Sequence, residues 1–163
     1  MDLVTSLLKR LDDSRANLLS IFPRVDRKLE IYPHWTLKQV LDHITGWDDA
    51  VIAALASHRD GLKPATPADQ GINLYNTSSI ASRADLDYEH SFLEFNESRG
   101  RLRDLILKLP ENKLAEPLIT PWGAPGTVSE IVEIFAEHEE SHAGDLLRWP
   151  EDPCCFIREE PEK

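Results

Sequence analysis

Ile131-Val132-Glu133-Ile134-Phe135-Ala136-Glu137-His138-Glu139-Glu140-Ser141-His142-Ala143-Gly144-Asp145-Leu146 is the stretch whose reading decides the fold. Ile131, Phe135, His138, His142 and Leu146, with Trp149 beyond, recur at the spacing of one helix face. Thr127-Val128-Ser129-Glu130 before it is a capping box, and Pro150 after it ends the pattern, so a helix is expected from about Thr127 to Trp149. On that helix His138 and His142 stand one turn apart, so both imidazoles face inward and can converge on one cation.

Working outward, three more long amphipathic patterns appear. The first runs from about Asp2 to Ile21 on Val4, Leu7, Leu8, Leu11, Leu18 and Leu19. A break over Phe22 to Trp35 follows, with Pro23 and Pro33. Thr36-Leu37-Lys38-Gln39 then opens a second helix to about His58, with Val40, Leu41, Ile44, Trp47, Val51, Ile52 and Leu55 as its apolar stripe. Residues 59–71 read as a connection and Ile72 to Arg83 as a short helix. The third long helix carries Tyr88, Phe92, Phe95, Leu102, Leu105, Ile106 and Leu109, with Gly100 as a weak point and Pro110 as its end. Glu111 to Gly126 reads as a loop, and no segment alternates as a strand. The expected fold is an all-α four-helix bundle with an extra short helix in a crossover connection. The domain spans residues 1–150, and a charged, Pro-rich tail occupies 151–163.

A chain of 163 residues is long enough to bury a core without a structural metal, so any metal is expected to serve chemistry. A net charge of -11 argues against nucleic acid and against anionic membranes, both of which select basic surfaces. No apolar run reaches membrane-spanning length and no signal peptide is visible, so a cytoplasmic protein is expected. Cys154 and Cys155 are adjacent, lack metal or redox spacing, and read as unpaired thiols.

His43 lies on the inward stripe of the second helix, between Val40 and Trp47, and is a third inward imidazole. Each such histidine alone would read as a core residue bonded to a neighbour. Three together carry a desolvation cost that one divalent cation would offset at all three, leaving a position open for water. His34, His58 and His90 fall at surface or boundary positions. Asp145, three residues after His142, is a candidate fourth ligand, water-orienting group or partner that fixes a histidine tautomer. Glu139 is a candidate general base, although Glu137, Glu139 and Glu140 together read as a solvated face. Trp47 and Trp122 are candidate pocket walls or packing residues. His138 to His142 also satisfies H-E-x-x-H, the zinc-protease motif. Only 21 residues follow, broken by three prolines, and no strand is available to hold a peptide, so protease activity is disfavoured.

Trp35-Thr36-Leu37-Lys38-Gln39-Val40-Leu41-Asp42-His43-Ile44-Thr45-Gly46-Trp47 and His138-Glu139-Glu140-Ser141-His142-Ala143-Gly144-Asp145-Leu146 resemble the two signature segments of the DinB-like (YfiT-like) metal-binding four-helix bundles. The resemblance covers about residues 1–150 and implies a divalent metal, Zn, Ni or Fe, on His43, His138 and His142. It further implies a small-molecule substrate, homodimers as in relatives, and transfer of a low-molecular-weight thiol to an electrophile as detoxification chemistry. Asp145 stands where many members have Gln, and Ala143 where many have Arg. The Tyr75-Asn76 element is closer to the ClbS/DfsB-like branch, which implies hydrolysis of a reactive metabolite and adds Tyr75 and Asn76 to the candidate pocket. A non-catalytic bundle that binds a metal or small molecule is the third reading.

Overall fold

The computed structural model describes residues 1–148, so Trp149, Pro150, Cys154, Cys155 and the expected tail lie outside the described residues. Helix α1 spans Leu3–Ile21 and continues into a 3-10 turn at Phe22–Arg24. It is followed by α2 (Leu37–Arg59), α3 (Ile72–Ala81), α4 (Tyr88–Leu107), α5 (Glu111–Ala115), a two-stranded ladder of β1 (Leu118–Ile119) and β2 (Pro125–Gly126), and α6 (Val128–Arg148). The long helices α1, α2, α4 and α6 form the bundle; α2 packs chiefly on α4, and α1 on α6.

Local chemistry sets the helix starts. The Asp2 carboxylate accepts from Thr5 N, and that of Asp87 from His90 N. Thr127 and Glu130 close a reciprocal capping box at 2.8 and 3.2 Å. The expected loop over Glu111 to Gly126 instead holds α5 and the antiparallel β1–β2 pair, which corrects the reading that no strand forms. Two residues per strand are too few for an alternating pattern to register. Gly46 gives α3 its seat, because a Cβ there would come within 2.5 Å of Ser79 Cβ.

The core is divided. One apolar cluster includes Leu11, Val51, Leu102 and Phe135; the other includes Leu18, Ile44, Phe95 and Ala143. Between them on every long helix sits one charged residue: Arg15 on α1, Asp48 on α2, Arg99 on α4 and Glu139 on α6. None of the four is more than 5 % exposed. Arg15 Nη2 donates to Glu139 Oε1 at 2.6 Å and to Asp48 Oδ2 at 3.1 Å. Arg99 Nη2 donates to the same Glu139 oxygen at 2.5 Å and to Asp48 Oδ1 at 3.1 Å. The Ser14 hydroxyl donates to the other Glu139 oxygen, Oε2, and the Ser98 hydroxyl to Asp48 Oδ2 beside Arg15, each at 2.9 Å, and Arg15 also donates to the Phe95 carbonyl. Burial works against an ionised Asp48, but Arg99 and Arg15 outweigh it and hold the carboxyl below its ordinary value.

Two positive and two negative charges cancel in this layer, so removing one member leaves an uncompensated charge in the core. Asp48→Ala is expected to cost about 3–5 kcal/mol of stability, read as a fall in the urea midpoint with an unchanged slope.

Candidate metal centre

α2 and α6 each bring imidazoles to the same point. His43 Nε2 and His142 Nε2 both lie 2.9 Å from His138 Nε2, and the three nitrogens are all within 4.8 Å of one another. His43 and His142 are buried, while His138 is half-buried and faces a cavity. Trp35 packs against the His43 ring at 4.9 Å between centroids.

The environment keeps these rings neutral. Burial pushes the His142 pKa well below its ordinary value, and His138 and His43 add to the effect. Burial does the same to His43, reinforced by His138 and opposed in part by Asn76. His138 is lowered to about 4, again chiefly by burial, with Glu139 and Asp48 pulling the other way. Neutral imidazole is the form that ligates metals.

A residue outside the sequence-derived candidates completes the arrangement. Tyr32 lies in the expected break between α1 and α2, in a tight turn closed by Trp35 N donating to Tyr32 O at 2.8 Å. His34 takes a left-handed φ of 68° there. The Tyr32 hydroxyl donates to Asp145 Oδ2 at 2.7 Å and lies 2.8 Å from His142 Nδ1. A carboxylate only accepts, so the single phenol proton goes to Asp145, and Tyr32 oxygen accepts from His142 Nδ1–H. That tautomer leaves His142 Nε2 bare and pointed at the other two rings. Asp145 therefore reaches His142 through Tyr32. The only signal for Tyr32 in the sequence is an aromatic flanked by Pro33, which no periodicity singles out.

The donor set fits a divalent ion. Tetrahedral Zn–N bonds of ~2.0–2.1 Å place ligand nitrogens ~3.3 Å apart, close to the observed spacing. One cation at their centre would replace the two ring-to-ring hydrogen bonds with three metal–nitrogen bonds. His43 Nδ1 is buried with no hydrogen-bond partner among the described residues.

The other candidates divide. Glu139 is not on a solvated face: it is 1 % exposed, and both of its oxygens are held by Ser14, Arg15 and Arg99, so it is a member of the ion layer and not a free base. Glu137 and Glu140 are exposed, as expected. Trp47, Asn76 and Trp122 line a cavity of about 640 Å³ that opens beside His43 and His138. Trp47 Nε1 donates to Asn76 Oδ1 at 2.8 Å. Tyr75 is not among the residues that line this cavity; it packs on Trp47 at 4.8 Å, with its hydroxyl donating to the Gly46 carbonyl. Trp122 is held over the cavity by the β1–β2 turn, where Thr120 N donates to Ala124 O, and by Ala68 N donating to the Pro121 carbonyl. His34 and His90 are exposed; His58 is half-buried and meets the Lys113 carbonyl.

Neutral burial of three histidines makes the metal-free protein sensitive to acid. In the unfolded chain each imidazole titrates near ~6.5, above its folded value, so the unfolded state binds more protons over the interval down to about 4. Stability is present above the unfolded pKa and is lost as pH falls through that interval. In EDTA, the urea midpoint is expected to fall between pH 7.5 and 5, with a shallower pH slope in His142→Gln.

The DinB superfamily model matches residues 2–146. No curated protein sequence matches. Among solved structures, the mycothiol-dependent maleylpyruvate isomerase superposes with a TM-score of 0.74 at 16% identity, covering 89% of this chain. The present chain spans only 61% of that protein. A protein from Streptococcus pneumoniae (TM-score 0.75, 17% identity, 93% and 92% of the two chains) and an uncharacterized protein from Clostridium difficile 630 (0.76, 16%, 93% and 97%) match over nearly their whole length. These likenesses establish the all-α bundle, and no helix among the described residues is long and apolar enough to cross a membrane. With the family model matching nearly all of the described bundle, the chain belongs to the DinB superfamily.

Proposed function

We propose that the protein is a divalent-metal-dependent enzyme that joins a low-molecular-weight thiol to a small electrophile. The observation that carries this reading is the convergence of three neutral imidazole nitrogens at the wall of an open cavity. His43, His138 and His142 would hold the ion; three imidazoles suit Zn, Ni or Fe. When bound, the ion supplies Lewis acidity that lowers the pKa of a coordinated thiol or water. The similarity to a mycothiol-dependent isomerase favours the thiol. The sulfur in this reading belongs to a small-molecule thiol that binds as a second substrate.

The protein's own groups have separate tasks. Burial keeps the three rings unprotonated at neutral pH. Tyr32 and Asp145 fix the His142 tautomer and ring orientation. Trp47, Phe135 and Trp122 shield one side of the site from water and offer flat apolar surface to the electrophile. Asp145, joined to His142 through one hydroxyl, is placed to take up a proton released at the site and pass it outward.

Two measurements test the reading. Elemental analysis is expected to give one divalent ion per chain in the purified protein and far less in His142→Ala; equal contents would end the three-histidine proposal. The metal-loaded protein, incubated with several thiols and a model electrophile, is expected to exceed the thiol-only rate. A rate at background with every thiol would rule out the transferase and leave hydrolysis or simple binding. Tyr32→Phe keeps the ring but removes the hydroxyl, and is expected to weaken metal affinity about 10–100-fold in a chelator competition.

A further inference from the structure

We propose that Asn76 positions the metal ligand His43: its amide oxygen, anchored by the Trp47 indole, is the acceptor for His43 Nδ1–H and thereby holds Nε2 toward the other two imidazoles. The proposal rests on the three-histidine reading for its purpose, and on the metal-free chain for its first test.

Hydrogen bonding among the rings fixes where the His43 proton sits. Tyr32 keeps a proton on His142 Nδ1, so His142 Nε2 is bare. Its 2.9 Å contact with His138 Nε2 then needs a proton on His138 Nε2. His43 Nε2 lies 2.9 Å from that same donor and has to accept from it. A neutral imidazole carries one proton, so that of His43 is on Nδ1. This N–H is sealed from solvent and has no hydrogen-bond partner among the described residues. A buried donor left so costs its full desolvation, and a histidine that ligates a metal ordinarily donates its second N–H to a carbonyl, carboxylate or water. His142 has such a partner in Tyr32.

Helix α3 brings the acceptor to His43. His43, Gly46 and Trp47 stand at i, i+3 and i+4 and share one face of α2. α3 is clamped to that face: the Tyr75 hydroxyl donates to the Gly46 carbonyl at 2.5 Å, and Ser79 fills the space where Gly46 has no side chain. Trp47 Nε1 donates to Asn76 Oδ1 at 2.8 Å; an indole only donates, so the amide must present its oxygen on this side. Asn76 is 7 % exposed and lines the same cavity as His43. Its carbonyl oxygen has a second lone pair to offer. Asn76 is also the one group outside the histidine cluster whose hydrogen bonding raises the His43 pKa, as an acceptor beside the ring does. The other neighbours do not serve. Trp35 packs on the ring, but its indole N–H cannot accept. Asp42 Oδ1 is buried and unpartnered too, yet successive helix residues point ~100° apart, and Lys38 holds that carboxylate beside the Arg83 carbonyl.

Long-range proton–nitrogen NMR of the full chain in EDTA at neutral pH is expected to show His43 protonated on Nδ1, its signal assigned by its loss in His43→Gln. Asn76→Leu removes the acceptor at similar volume. It is expected to populate the Nε2-protonated ring and to weaken zinc binding about 10–100-fold in a chelator competition. Asn76→Asp keeps an oxygen in place, and is expected to restore the Nδ1 proton and to bind zinc at least as tightly as the unaltered chain. A His43 proton on Nε2 in the unaltered chain overturns the proposal. So does zinc binding in Asn76→Leu as tight as in the unaltered chain, or in Asn76→Asp as weak as in Asn76→Leu. The spectrum of the unaltered chain needs no variant at position 76, so misfolding of Asn76→Leu leaves the proposal exposed to it. The two readings fail apart: an unaltered chain that binds no zinc ends the three-histidine site, whereas unweakened binding in Asn76→Leu ends only the role of Asn76.

Discussion

Four buried charges, Arg15, Asp48, Arg99 and Glu139, impose the constraint on which the rest of the molecule depends. Each comes from a different long helix, and each is satisfied only when the other three are at the same level of the bundle. Desolvating guanidinium and carboxylate groups costs several kcal/mol per ion, offset only by close and well-oriented partners. A helix that slid by one turn would leave its charge facing Leu11, Leu102, Phe135 or their counterparts in the other apolar cluster. The layer therefore works against register errors that apolar packing alone would tolerate. It also fixes the histidines, since Glu139 directly follows His138 and Asp48 lies five residues after His43 on the same helix.

Above that layer the polarity is handled differently. His43 and His142 are buried and His138 half-buried, and desolvation outweighs the nearby carboxylates and keeps the three rings neutral and competent to ligate. Orientation comes from outside the helices. The turn over Tyr32–Trp35 supplies the hydroxyl between His142 and Asp145 and the indole against His43. A connection outside the long helices thus decides which nitrogen of His142 carries its proton. The same division of labour shapes the cavity, whose floor is helical but whose cover, Trp122, is borne by a two-residue ladder tied to the α2–α3 connection.

The pattern of α6 explains why Glu139 looks solvent-facing in the sequence. Its buried residues form two adjacent stripes: Val128, Ile131, Phe135, His142 and Leu146 on one, and Val132, Ala136, Glu139 and Ala143 on the other. A single face was legible because hydrophobic and imidazole side chains repeat on it. The second is interrupted by a carboxylate that reads as solvent-facing unless its arginine partners, 40 and 124 residues away, are known. Arg15 and Arg99 were opaque for the same reason, each looking like an ordinary surface charge on an amphipathic helix.

Sequence alone determined the four long helices, their caps and the inward placing of His43, His138 and His142, because helical periodicity and capping are local properties of the chain. The meeting of those histidines, the charge balance of the ion layer and the Tyr32 relay were decided by tertiary structure. Each depends on which distant side chain stands within hydrogen-bonding reach, and no spacing along the chain encodes that distance.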